Sequence, residues 1–243
     1  RANEQALAAF RTLCAKIDCD FSEEDNYIYS TDDREKLEQE MNALESIGAK
    51  AEFAENLPLP FPTVGAVKFS HQAQFHPLKF LSAIADELTI YENTPVRRLE
   101  KGAAITDRGV IRADAFVIAT HFPFLNKHGS YFLKLYQQRS YALALENAPA
   151  LRGMYLDERE NGLSFREYGG RLILGGGGHR TGHEGGGWKE LEQFAKTHYP
   201  DAGITHRWAA QDCMSLDGVP YIGRYSAMTP NLYVASGFNK WGM

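Results

Sequence analysis

Apolar residues at Ala6, Leu7, Phe10, Leu13, Cys14 and Ile17 recur with the spacing of one helical face and predict an amphipathic helix at the start of the chain. A second helix is signalled more fully. Asp32 and Glu35 have the spacing of a capping box, Leu37, Met41, Leu44 and Ile47 supply a buried face, and Gly48 stands where a left-handed cap glycine belongs. Short strands are expected at 26–30, 50–54 and 66–70, while the proline-rich stretch 57–62 suits neither a central strand nor a helix interior. Pro77 opens a third helix, with Leu78, Leu81, Ile84, Ala85 and Leu88 expected to turn inward.

The pattern then shortens. Residues 89–91 read as strand-like, 96–100 pairs with 103–106, an Asp107-Arg108-Gly109 turn leads to 110–112, and 115–119 is a continuous apolar run of the kind buried on both faces. Further strands are expected at 141–145, 162–166, 171–174, 204–210, 219–222 and 232–235. One more helix, 187–198, presents Trp188, Leu191, Phe194 and Ala195, and the glycines at 175–178 and 185–187 bracket a loop. The sum is a mixed α/β chain with a large antiparallel component.

Composition narrows the function classes. A chain of 243 residues with 44% hydrophobic and 23% charged positions is long enough to bury one large core or two small ones. The net charge of −5 and the scattered placement of Arg97, Arg98, Lys101 and Arg108 argue against a nucleic-acid partner. No apolar run approaches the ~20 residues that a membrane-spanning helix needs. Cys14, Cys19 and Cys213 form no CxxC pair and fit a reducing, cytoplasmic setting with free thiols. The chain opens on Arg1 and stops at Met243 within a motif, so a fragment is expected.

Three segments carry candidate chemistry. Residues 94–120, TPVRRLEKGAAITDRGVIRADAFVIAT, give a small meander and a return strand whose end, Ala119-Thr120, emerges where ligands sit in open α/β sheets. Residues 208–243 hold a Leu-Asp-Gly-Val-Pro-Tyr-Ile-Gly run, a buried strand, and then Ser236-Gly237-Phe238-Asn239-Lys240-Trp241-Gly242. Residues 162–182, GLSFREYGGRLILGGGGHRTG, place Arg166 on a strand followed by a glycine-rich one.

Other readings fail on local grounds. Gly175–Gly178 lacks the Gly-Lys-Ser/Thr of a phosphate loop, because His179-Arg180-Thr181 follows. His179 and His183 have a helical zinc spacing, yet Gly182 and Gly185–Gly187 oppose a helix there and no third ligand stands nearby, so no metal is expected. His71 and His76 flank the start of the third helix, and His76 is read as its cap.

Taken together the three segments resemble the FAD-dependent oxidoreductases of the D-amino-acid oxidase and glycine oxidase family, over about residues 21–243. The resemblance implies an α/β (α+β) fold: an incomplete FAD-binding Rossmann-like domain plus an antiparallel-sheet substrate domain with helices on one face. It divides the chain into 1–90, helical and strand parts of both domains; 91–124, the FAD-domain meander and return strand; 125–212, the substrate domain; and 213–243, a truncated C-terminal FAD-domain segment. It implies FAD contacts from Val96, Ala119, Thr120, Gly237, Phe238, Asn239, Trp241 and Gly242. It also implies a substrate carboxylate on Arg166, with Arg180 and His179 as rivals for substrate contact, since guanidinium forks match carboxylates. It assigns no catalytic acid or base.

Departures matter too. The family's Gly-x-Gly-x-x-Gly turn is absent; the first hundred residues hold only Gly48 and Gly65. His121 stands where many relatives carry glycine. The His-Phe-Pro-Phe and Phe-Asn-Lys-Trp-Gly-Met forms are most similar to a subgroup often fused to a C-terminal Rieske domain, although no Cys-x-His pair for such a cluster is present. The expectation is an amine or amino-acid oxidoreductase, inactive as given and not retaining FAD. The alternative is a non-catalytic module that binds a small acid or a partner chain.

Overall fold

The computed structural model describes residues 2–125 and 129–240. Four α-helices (α1 Ala2–Cys14, α2 Arg34–Ser46, α3 Pro77–Ala85, α4 Gly187–His198) alternate irregularly with fourteen strands among these residues. The strands are β1 Ser22–Ser30, β2 Glu52–Ala54, β3 Gly65–Gln74, β4 Val96–Glu100, β5 Ala103–Thr106, β6 Gly109–Arg112, β7 Phe116–Ile118, β8 Leu135–Glu146, β9 Met154–Asp157, β10 Ser164–Tyr168, β11 Arg171–Arg180, β12 Gly203–Ser215, β13 Tyr221–Arg224 and β14 Leu232–Ser236. The largest sheet has the order β12-β8-β11-β10-β9-β1-β3-β2, and two three-stranded sheets have the orders β13-β14-β7 and β4-β5-β6. The expected mixed α/β class with a dominant antiparallel component is what the chain adopts.

The chain divides into two compact units. The first comprises Arg1–Glu87, Ser140–His179 and Glu184–Ala210. Its main core joins Leu143, Leu145, Phe165, Leu172 and Leu174 from the strands to Leu191 and Ala195 of α4, with Tyr29 and Tyr155 filling the middle. These residues alternate along their strands, so the sheet buries this face against α4. A second cluster joins Cys14, Cys19 and Phe80, with Phe10 and Phe75 packed against it. The second unit comprises Leu88–Arg139, Arg180–His183 and Gln211–Met243. Its core holds Ile118, Tyr131, Leu135, Cys213, Tyr225 and Val234.

Several local expectations need correction. The cap of α2 is Asp33, whose carboxylate accepts the Lys36 amide at 2.9 Å, one residue beyond the Asp32 of the expected box. Gly48 takes the left-handed cap as expected (φ +69°), but Ile47 has left helical geometry and is 77% exposed. In α3 the buried side is Phe80, while Leu78 and Leu81 are exposed; Leu88 lies beyond the helix end and is exposed too. The helix is apolar on nearly every side, so periodicity could not choose the face that meets Phe10 and Phe75. His76 does cap it, accepting the Lys79 amide at 3.3 Å.

The strand expected at 171–174 runs on through the glycines 175–178 to Arg180. At Gly177 (φ +61°) a Cβ would stand 2.4 Å from the Gly187 carbonyl oxygen, so glycine there lets two backbones touch. Residues 89–91 join no sheet. β7 is not buried on both faces: Ile118 is buried but Val117 is 65% exposed. β9 was not foreseen, β8 and β12 run further than expected, and β1 and β3 run further because polar residues at their ends find ladder partners, Ser22 opposite Gln74 and Glu23 opposite Ala73.

Candidate functional site

Two places gather the expected site residues, one in each unit. In the second unit, β7 and β14 pair in parallel, with Phe116 opposite Leu232, Val117 opposite Tyr233 and Ile118 opposite Val234. Extending that register sets Ala119 beside Ala235 and Thr120 beside Ser236. The two carboxyl ends therefore leave the sheet side by side, and the Ser236 hydroxyl donates to the His121 carbonyl to tie them. His121 itself is left-handed at φ +64°, the conformation that glycine would take without cost.

Beyond β14 the chain makes a buried turn at Gly237 (φ +72°), where a Cβ would come within 2.8 Å of Leu135 Cδ2. Asn239 then works as a staple. Its amide donates to the Cys213 carbonyl at 2.9 Å, and its side-chain oxygen accepts the Ser215 amide at 2.9 Å. Its side-chain nitrogen donates to the carbonyls of Gly218 at 3.1 Å and Gly237 at 3.0 Å. The Thr120 hydroxyl likewise donates to the Phe122 carbonyl at 3.0 Å. These polar side chains are committed to holding the turn, which leaves the exposed residues Ala119, Thr120 and Phe238 as the surface on offer, with Gly237 buried behind them. Val96 lies in the separate β4-β5-β6 sheet, opposite Thr106. Trp241 and Gly242 lie outside the described residues.

In the first unit Arg166 is central to β10. Its neighbour Phe165 belongs to the α4-covered core, so Arg166 points to the opposite face of the sheet. There its guanidinium donates to Gln74 Oε1 at 3.4 Å, and burial lowers its pKa from the ordinary value. None of the described ion pairs gives it a carboxylate partner. Gln74, at the end of β3, also donates to the Glu167 carbonyl at 3.1 Å, so the amide is held on both sides. Gln74 lines a cavity of about 620 Å³ together with Asp20, Glu24, Lys79, Arg152 and Tyr168. Hydrogen bonds from Lys79, at 2.8 Å, and from Tyr168 hold the Asp20 carboxyl below the usual range.

The two other substrate candidates have different surroundings. His179 Nε2 is 2.9 Å from the Tyr141 hydroxyl, and their rings stack at 5.7 Å. Tyr141 packs with Trp188 on the α4 side of the sheet, away from the face that Arg166 occupies. Arg180 lies over the Tyr136 ring at 5.0 Å. The sheet thus holds Arg166 and His179 on opposite faces, and Arg180 belongs to the second unit. Gln74 was missed by sequence reasoning because nothing local marks it; only the register of β1 with β3 carries it to β10. No cluster of three or more metal-ligating side chains occurs among the described residues.

The family model described as FAD dependent oxidoreductase matches residues 1–243. The chain belongs to that family. Within it, the chain is 31% identical over 265 residues to a protein of Bacillus subtilis (strain 168) named as a Rieske 2Fe-2S iron-sulfur protein. That match covers 100% of this chain and 52% of the relative, so the chain spans about half the length of the curated relative. Among solved structures, glycine oxidase from Geobacillus kaustophilus superimposes with a TM-score of 0.78 at 21% identity, over 96% of this chain and 70% of that one. L-proline dehydrogenase from P. horikoshii gives 0.78 at 15% identity, over 97% and 72%. These likenesses show a shared fold.

Proposed function

We propose that this family member takes part in oxidising an amine or amino acid, passing a hydride from the carbon beside the nitrogen to FAD. The observation that carries the reading is the parallel pairing of β7 with β14, which sets residues 119–120 and 236–237 side by side at the carboxyl edge of a sheet. That edge fits one wall of a flavin site: its main chain is accessible at Ala119, Thr120 and Phe238, and its polar side chains are internally satisfied. When bound, FAD supplies the two-electron acceptor. The chain's own residues would position it through Ala119, Thr120 and Phe238, with the buried Gly237 and Asn239 shaping the turn. Val96 is the weakest of the proposed contacts, since it sits in a different sheet.

Arg166 is the residue proposed to hold the substrate carboxylate. It is desolvated and carries no acidic counter-ion among the described residues, the state in which a guanidinium gains most from a bidentate anion. The glycine oxidase and L-proline dehydrogenase neighbours are named for amino-acid substrates, which supports the same class here. The name of the Bacillus relative supports a Rieske-associated setting for the intact protein.

The test is anaerobic mixing of the FAD-loaded full-length protein with amino acids and secondary amines. Bleaching of the oxidised flavin band by at least one of them is expected. Arg166→Leu should raise the KM for a carboxylate-bearing substrate roughly 10- to 100-fold, the value of a hydrogen-bonded charge contact. A flavin that no amine reduces, or amino-acid binding indifferent to FAD, overturns the reading.

A further inference from the structure

Helix α1 ends on one of two cysteines that share a buried cluster. Cys14 is the last residue of α1 and its only buried one. The chain then reverses: the amides of Ala15, Lys16 and Ile17 donate to the carbonyls of Arg11, Leu13 and Cys14 at 3.0, 3.0 and 3.3 Å. That reversal returns Cys19 to the same buried cluster, of which Phe80 is the third buried member. Cys19 is fixed in turn, because its carbonyl accepts the His76 amide at 2.7 Å. Both thiols are free.

We propose that Cys14 and Cys19 are a disulfide-forming pair, a modification site at which a peroxide-class oxidant links the end of α1 to the start of β1. The reaction balances with hydrogen peroxide. One thiolate attacks a peroxide oxygen; the S–O bond forms, the O–O bond breaks, and the departing hydroxide takes a proton to become water. The second thiolate attacks the resulting sulfenic sulfur; the S–S bond forms, the S–O bond breaks, and a second water leaves. Two electrons pass from the sulfurs to the peroxide.

Burial, reinforced by the neighbouring Cys19 thiol, pushes the Cys14 thiol up to about 11. The Cys14 thiol is therefore held protonated and unreactive at neutral pH. Access comes from α1 itself, a terminal helix held by buried Cys14, by Phe10 packed on Phe75 and Phe80, and by the Arg11–Glu23 ion pair, and it opens at lower cost than the sheet. The cross-link would close that route by tying the helix end to the residue before Asp20, whose carboxylate holds Lys79 at the cavity wall. Nothing in this proposal depends on flavin binding.

The protein is treated with hydrogen peroxide at pH 7, 8 and 9, quenched, and digested with trypsin without reduction. Cleavage after Lys16 separates the two cysteines into peptides 12–16 and 17–34. The expected product is these two peptides joined, lighter than their sum by two hydrogens and parted by dithiothreitol. Its rate should rise about tenfold per pH unit, following the thiolate fraction. Cys14→Ser and Cys19→Ser should each abolish it, and Cys213→Ser should leave it. Hydrogen exchange in residues 2–14 should slow several-fold in the oxidised protein. Separate sulfinic acids, linkage to Cys213, thiols still alkylatable after peroxide at pH 9, or unchanged exchange in α1 would overturn the proposal.

Discussion

Gly237 and Asn239 show how two residues can make a turn that neither makes alone. The glycine accepts φ +72° and the approach of Leu135, and the asparagine, itself left-handed at φ +55°, fills the hydrogen bonds that the reversal leaves open. Gly237→Ala should cost about 1–3 kcal/mol in urea unfolding, since it adds both backbone strain and a 2.8 Å contact. Asn239→Ala should cost a similar amount by another route, leaving the Ser215 amide and the Gly218 carbonyl short of a partner. The sequence marked both positions through the family resemblance, but as cofactor contacts. What the coordinates add is that the Asn239 side chain is occupied internally, which neighbouring residues in the sequence do not reveal.

Among the elements, helix α2 separates two adjacent aspartates that look equivalent in sequence. Asp33→Ala removes the carboxylate that accepts the Lys36 amide and should lower stability by about 1 kcal/mol in denaturant titration. Asp32→Ala touches only a long, exposed contact to Arg159 at 3.9 Å and should change little. Strand β11 offers the complementary case. Gly177→Ala would press a methyl against the Gly187 backbone, so a loss of about 2 kcal/mol or more is expected, read as a lower unfolding midpoint. The expected strand stops before the run of four glycines because glycine weakens strands in general. Here that run is a strand, since the returning chain before α4 needs room that only glycine leaves.

Among the described residues five tyrosines are buried, and three of them, Tyr29, Tyr155 and Tyr199, belong to the first unit. Burial raises the pKa of Tyr29 and Tyr155 and pushes Tyr199 up to about 12, against an ordinary value of 10.0. Each folded-state pKa lies above its unfolded value, so the stabilisation is complete below pH 10 and is lost as pH rises through the folded value. Unfolding at high pH should therefore begin above pH 10 and coincide with a step in tyrosinate absorbance. Phenylalanine at Tyr199, whose raised pKa has burial as its cause, should shift that onset upward.

The sequence by itself determined most element types, the return strand that leads into Ala119, the cap at His76, the helix 187–198 and the family, because each rests on local chemistry or on an ordered set of motifs. Periodicity and turn residues act over a few positions, and a single chain carries that information directly. Tertiary structure alone decided which face of α3 is buried, that Val117 is exposed, that β11 continues through its glycines, and that Gln74 meets Arg166 while His179 turns to Tyr141 on the other face. Those outcomes depend on register and on which surfaces meet across long separations in the chain, and no local pattern specifies them.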